Sequence, residues 1–204
     1  MAGVRDDVQP WPDGREGGAE RAMDMLDTAG DQVLETPRLQ LRPLTSGDLD
    51  VVVRIHTDPE LMRHIHRGVP HTEDECIVDL ARALTHWRDH GCGPFVVTNR
   101  DGDLVGTVGF ATPEWLPEVM PARDVGWTIV QRHQGHGYAT KAARAVIDWY
   151  FGTAGDDRLL GIHNSDNPRS GAVMRRLGMR WWRRTAHPTL GFPLEVWETT
   201  RTEW

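Results

Sequence analysis

Residues 123–143 read RDVGWTIVQRHQGHGYATKAA, and this stretch decides the fold: a β-rich run, two glycines one residue apart, then a helix. Within it Val125, Trp127 and Ile129 alternate with Asp124, Gly126 and Thr128, the period of two that marks a strand with two unlike faces. Behind the glycines, Ala139, Ala142, Ala143, Val146, Ile147 and Tyr150 recur at spacings of three and four, while Lys141, Arg144 and Asp148 take the wet side of the helix. A strand that enters a helix through such a loop leaves backbone N–H groups unpaired at the helix N-terminus, converging on one spot that attracts anions. Gly135 and Gly137 have no Cβ, so a diphosphate can approach the main chain, with Arg132 and either His133 or His136 adding charge or donors. A plain turn is the competing reading of the two glycines, and the neighbouring segments have to arbitrate.

Upstream, RLQLRPL alternates Leu39 and Leu41 with polar residues as a half-buried strand does. Ser46 or Asp48 then caps a helix to about Thr57, and Thr72 with Glu75 is a capping box for a longer helix ending near Gly91. PFVVTNRDGDLVGTVGF is a hairpin turning at Asp101 and Gly102. Downstream, RLLGIH is a short strand and NPRSGAVMRRLG a helix started by Asn167 and Pro168 and stopped by Gly178, with two more strands after it. The expected order is β, α, α, β, β, β, α, β, α, β, β. Residues 1–33, rich in Gly, Asp, Arg and Pro, read as a poorly ordered extension with a short helix at 19–27, and Met23 or Met25 as alternative starts. Residues 34–204 are the single folded domain.

Composition narrows the class. Apolar residues at 39% and charged residues at 26% suit a globular protein, and no run approaches the roughly 20 apolar residues of a membrane helix. The N-terminus has neither a basic start nor an apolar signal core, so the expected location is cytoplasmic, without a membrane partner. A net charge of −7 argues against a nucleic-acid partner. Cys76 and Cys92 form no CxxC pair and read as small core residues.

The dinucleotide fingerprint needs a third glycine, but Tyr138, Ala139 and Thr140 follow Gly137; the GxxxxGK[ST] loop is absent. Arg132, Gly135 and Gly137 instead fit R-x-x-G-x-G, which resembles the coenzyme A pyrophosphate loop of the GNAT superfamily of N-acetyltransferases. TPRLQLRPLTSGDLD, DVGWTIV with GHGYATKAARAVIDWYF, NPRSGAVMRRLGM and EVWETTRTEW are similar, in that order, to segments of its ribosomal-protein N-terminal acetyltransferase branch. The resemblance covers about residues 35–204. It departs at Gln134, where the branch often has Trp, at Lys141, where it often has Glu, and in lacking the tyrosine that many GNAT enzymes carry after Asn167.

The resemblance implies an α/β (α+β) GNAT fold: a mixed, mostly antiparallel sheet of about six or seven strands, a splayed central parallel pair, and helices on both faces. It implies transfer of acetyl from acetyl-CoA, as co-substrate and with no metal, to a primary amine, either a protein N-terminus or a small molecule. A coenzyme A binding or sensing module without catalysis is the alternative, and a monomer or homodimer the expected assembly. The implied cofactor site comprises Arg132, Gln134, Gly135, His136, Gly137, Tyr138 and Ala139, the backbone of Ile129 and Val130, and Asn167 with Ser170 along the pantetheine arm. Ser170 would donate toward the departing thiolate, and Asp124, where the branch often has Glu, would be the base. A carboxylate of reference pKa about 3.9 is a poorer match for a lysine amine near about 10.4 than for an α-amine near about 8.

Two other constellations have plainer readings. HIHRGVPH with Cys76 gathers His64, His66 and His71, but the spacing matches no common zinc pattern; a wet or substrate-facing loop accounts for it. WWRR at 181–184 combines stacking groups and charge, yet on a strand its tryptophans face opposite sides, as packing requires. Trp115 and Trp127 are placed near an acceptor groove.

Overall fold

The computed structural model describes residues 32–65, 68–153 and 156–204. Apart from Gln32 and Val33, the expected extension, its helix at 19–27 and the alternative starts lie outside the described residues, as does His66. The strands are β1 (Leu34–Glu35), β2 (Leu39–Pro43), β3 (Pro94–Asn99), β4 (Leu104–Ala111), β5 (Arg123–Ile129), β6 (Arg158–Asn164), β7 (Arg180–Ala186) and β8 (Pro193–Thr200). The α-helices are α1 (Leu49–His56), α2 (Pro59–Met62), α3 (Glu73–His90), α4 (Tyr138–Thr153) and α5 (Pro168–Leu177).

The eight strands among the described residues form one sheet, ordered β1-β2-β3-β4-β5-β6-β8-β7. Every seam is antiparallel except β5–β6. The strand beyond the expected six or seven is β1. Leu34 and Glu35 fold back on Leu41 and Gln40, and Thr36 Oγ1 closes the turn by accepting Leu39 N at 2.9 Å.

Helix boundaries follow their capping chemistry. Thr72 Oγ1 accepts Glu75 N at 3.3 Å while the Glu75 carboxylate accepts Thr72 N at 2.7 Å, and α3 ends at Gly91 with φ 64°. The two sheet faces are covered differently. Leu39, Leu41, Phe95, Val97, Val125 and Ile129 pack with Ala142, Val146, Ile147 and Tyr150 of α4. On the other face Val96 packs with Val52 of α1 and Cys76, Leu80 and Leu84 of α3, while Leu116, Val119 and Ala122 of the β4–β5 connection cover Leu160, Leu194 and Val196.

The WWRR segment is structural. Trp182 packs in the cluster with Phe192, and Trp181, though half exposed, donates Nε1 to Glu195 at 2.8 Å. Arg180, Arg183 and Arg184 pair with Glu198, Glu118 and Glu195, so the strand presents paired charges rather than a basic platform.

Candidate active site

The two edges of β5 are joined to their neighbours unequally. Against β4 the strand holds six paired positions, Gly106↔Ile129 to Ala111↔Asp124. Against β6 it holds two, Arg123↔Leu159 and Asp124↔Leu160. Past Asp124 the strands part, while β6 stays paired with β8 along its whole length. Where the next rung of the ladder would be, a side chain bridges: Asp124 Oδ1 accepts Ile162 N at 3.0 Å.

Backbone groups of alternate residues point to opposite neighbours in a sheet. Val130 N donates to Val105 O at 2.9 Å, so Val130, Thr128 and Gly126 direct their amides at β4. Those of Trp127 and Ile129 point into the gap. The Val130 amide, expected to face the gap, is instead committed to Val105, and the amides that do face it are those of Trp127 and Ile129. Strand parity depends on the pairing register, which no local pattern carries.

Side chains alternate the other way. Val125 and Ile129 lie in the α4 core, so Asp124, Gly126 and Thr128 face the opposite side. There Thr128 aligns with Thr107 and Val96 across the ladders, and Val96 lies under α1 and α3. Between that helical cover and the 112–122 connection a strip of β5 is left open: Gly126 is exposed, and a Cβ built on it meets nothing within 4 Å. Trp115, in that connection, is exposed and stacks on His187 at 5.0 Å and 12°. Trp127 packs against the α4-side core instead, so its ring is not on this side. Asp124 is half-buried at the end of the strip; burial raises its carboxyl well above the ordinary pKa, and the Ile162 amide only partly offsets this.

The far end of β5 runs through one 3₁₀ turn, Gln131–His133, into the glycine loop. Gly135 and Gly137 have φ of 80° and 75°, left-handed values that cost a residue with a Cβ roughly 1–2 kcal/mol. A Cβ at Gly135 would meet nothing within 4 Å, and one at Gly137 only Arg38 Nη2, at 3.8 Å. The loop is thus open outward at both glycines, next to a cation. Tyr138 and Ala139 begin α4, whose first-turn amides have no intrahelical acceptor.

Arg38 escaped the sequence reading. Its Nη2 donates to His136 O at 2.7 Å and its guanidinium lies 4.7 Å from the Tyr138 ring centroid, on which His136 stacks. Its partner is 98 residues away, so spacing could not find it, although it sits inside the quoted TPRLQLRPL. Arg132 is half exposed, 3.9 Å from Asp103, and donates Nε to His133 Nε2 at 3.0 Å. Burial and the adjacent Arg132 lower the His133 pKa, so that ring serves as an acceptor rather than a second cation. Gln134 ties the loop down: Nε2 donates to Ile129 O at 2.9 Å and Oε1 accepts Arg169 Nη1 at 3.0 Å.

Asn167 caps α5, its Oδ1 accepting Ser170 N at 3.2 Å, with Pro168 next in the first turn. Ser170 Oγ makes no hydrogen bond to another described residue. Helix α5 packs closely on β6: a Cβ at Gly161 would meet Met174 Sδ at 2.4 Å, and one at Gly171 would meet His163 Nε2 at 3.0 Å. Leu159 joins α5 in the α4-side core while Leu160 faces the other way, so Ser170 and Asp124 belong to opposite sides of the sheet. The open part of the β5–β6 seam lies between those sides.

Residues 38–180 match the family described as Acetyltransferase (GNAT) domain. The uncharacterized N-acetyltransferase YnaD of Bacillus subtilis is 28% identical over 149 residues, which cover 72% of this chain and 82% of that protein. Among solved structures, a GnaT-family acetyltransferase from Bordetella pertussis superposes with TM-score 0.72 at 24% identity, over 83% of this chain and 99% of the other. The spermidine N-acetyltransferase of Vibrio cholerae, solved with CoA and spermine, gives 0.67 at 17% identity over 82% and 98%. The Salmonella typhimurium acetyltransferase that modifies the N-terminal serine of a 50S ribosomal subunit protein gives 0.69 at 15% identity over 83% and 99%.

Proposed function

We propose, since this chain belongs to the GNAT acetyltransferase family and is by that membership an acetyl-CoA-dependent acyltransferase, that it acetylates a primary amine by direct attack on the thioester. The observation that carries this reading is the half-paired β5, open past Asp124 and ending in a double-glycine loop. The pyrophosphate lies against Gly135, Gly137 and the first-turn amides of α4, with Arg38 and Arg132 as its cations. The pantetheine arm follows the gap along the Trp127 and Ile129 amides and passes Asn167.

The amine, from a protein N-terminus or a small molecule, enters over the open strip at Gly126. Asp124 takes the proton of the ammonium; the raised pKa of a buried carboxyl suits it to an amine better than an exposed one. As the N–C bond forms and the C–S bond breaks, the Ser170 hydroxyl gives its proton to the departing sulfur, and the second proton that the nitrogen sheds on becoming an amide returns through water to restore Ser170. Base and acid thus act from opposite sides of one gap. The named relatives act on acceptors as unlike as spermidine and a ribosomal-protein N-terminus, so the fold alone does not select between them.

Mass spectrometry of a panel of polyamines, amino acids and N-terminal peptides, incubated with the protein and acetyl-CoA, tests the reading alongside a thermal shift with coenzyme A. An acetylated product with a coenzyme A shift is expected. A shift without product leaves the binding or sensing module, and no shift removes both. Gly137→Glu should abolish the coenzyme A shift, because a carboxylate then occupies the phosphate position; an unchanged shift would remove the loop from the donor site.

A further inference from the structure

Away from the β5 gap, the described residues hold one group of three side chains able to ligate a metal: His56, His71 and Asp79. His56 ends α1, Asp79 lies in α3, and His71 immediately precedes the capping box of α3. Both imidazoles aim Nδ1 at the same oxygen, Asp79 Oδ2, each at 2.7 Å. The three ligand atoms lie within 4.8 Å of one another, and the rings stand at 89° with centroids 5.6 Å apart. We infer that His56, His71 and Asp79 form a binding site for one divalent first-row metal ion, bound through the two Nδ1 atoms and a carboxylate oxygen.

The positions are fixed before any ion arrives. Val52 of α1 packs with Leu80 and Leu84 of α3, and His71 N donates to His56 O at 2.8 Å, holding the entering segment against the end of α1. Ligands at metal bonds of about 2.1 Å stand about 3.0–3.4 Å apart, so each Nδ1 need move under about 1 Å from its present 2.7 Å spacing to Asp79 Oδ2. The three side chains are 26%, 19% and 16% exposed, so water can reach the open coordination positions. Two imidazoles with one carboxylate suit zinc and its first-row neighbours rather than calcium or magnesium, which prefer all-oxygen sets. Without an ion each Nδ1 donates its hydrogen to Asp79 Oδ2, so metal binding shifts each ring's proton to Nε2 and turns the Nδ1 lone pair to the metal. The ligand set differs from the one suggested by sequence proximity: Cys76 is fully buried in the core between α1 and α3, while His56 and Asp79 are brought in by helix packing.

A bound ion would tie α1, α3 and the segment entering α3 together on the helical side of the open strip. It needs no acetyl transfer and is tested without it. The full chain, stripped with EDTA and dialysed, is titrated with Co²⁺ while visible absorption is followed, then with Zn²⁺ in competition. Saturable absorption at one equivalent is expected, displaced by Zn²⁺, with the melting temperature raised by several degrees. His71→Gln and Asp79→Asn should each lose the absorption while keeping the coenzyme A thermal shift, which reports that the variant is folded; His56→Gln replaces either one that lacks this shift. No saturable absorption in the parent protein would overturn the site, as would absorption unchanged in the folded variants.

Discussion

The two edges of β5 share one backbone and one sequence, yet one is sealed and the other is open. The edge facing β4 carries six paired positions, and the edge facing β6 carries two before the strands part. The open edge is no failure of strand propensity, because Val125, Trp127, Thr128 and Ile129 are strong strand formers. The two strands diverge past Asp124 while β6 keeps full register with β8, and the divergence leaves backbone donors of β5 without a strand partner.

The comparison is tested hardest where the edges separate. Asp124→Asn removes the proposed base and should lower kcat by about 10²–10⁴-fold while leaving coenzyme A affinity unchanged, as steady-state rates and calorimetry would show. Equal rates would mean that the closed end of the gap only braces β6. Next is Gly126→Val, which places a branched side chain on the open strip, where its Cβ meets nothing within 4 Å: acceptor KM should rise about tenfold, with coenzyme A affinity intact. If KM holds, the acceptor enters elsewhere.

Smaller effects sharpen the same contrast. Arg38→Ala removes a cation and the bond to His136 O, and should weaken coenzyme A about fivefold to tenfold by calorimetry, with weaker dependence on salt. Asn167→Ala should cost about 1 kcal/mol in urea unfolding through the lost cap, with Asn167→Asp retaining most of it. Finally, burial raises the Asp124 carboxyl, so the protonated form favours the folded state. The stability it contributes is complete below the unfolded carboxylate pKa of about 3.9 and is lost as pH rises through the folded value. Asp124→Asn should therefore gain melting temperature relative to the parent as pH increases; a difference constant with pH would contradict the raised pKa.

What was legible in the sequence was what depends on near neighbours. The alternation in DVGWTIV, the two glycines, the Thr72–Glu75 box and the Asn167–Pro168 start all draw on residues within a few positions, and the structure has strand, loop and caps there. What escaped depends on distant partners. Arg38 reaches the glycine loop only after β1 and β2 fold back, and β1 itself exists only by pairing with β2. The Val130 amide points to β4 and not into the gap, because the direction of an amide follows from which β4 residue lies opposite. The environment of Asp124 could not be read either, since its desolvation is produced by elements that meet only in the folded sheet.

The glycine loop has a further consequence, in terms of mutational tolerance. A diphosphate held largely by peptide amides is insensitive to most single substitutions, because exchanging a side chain leaves the amide beside it in place. Positions 133 and 136 can exchange side chains without losing an amide, whereas Gln134 also anchors the loop through Ile129 O and Arg169. Positions 135 and 137 cannot, as every residue but glycine strains the backbone there. Two fixed points amid free variation are what inheritance would preserve in such a loop.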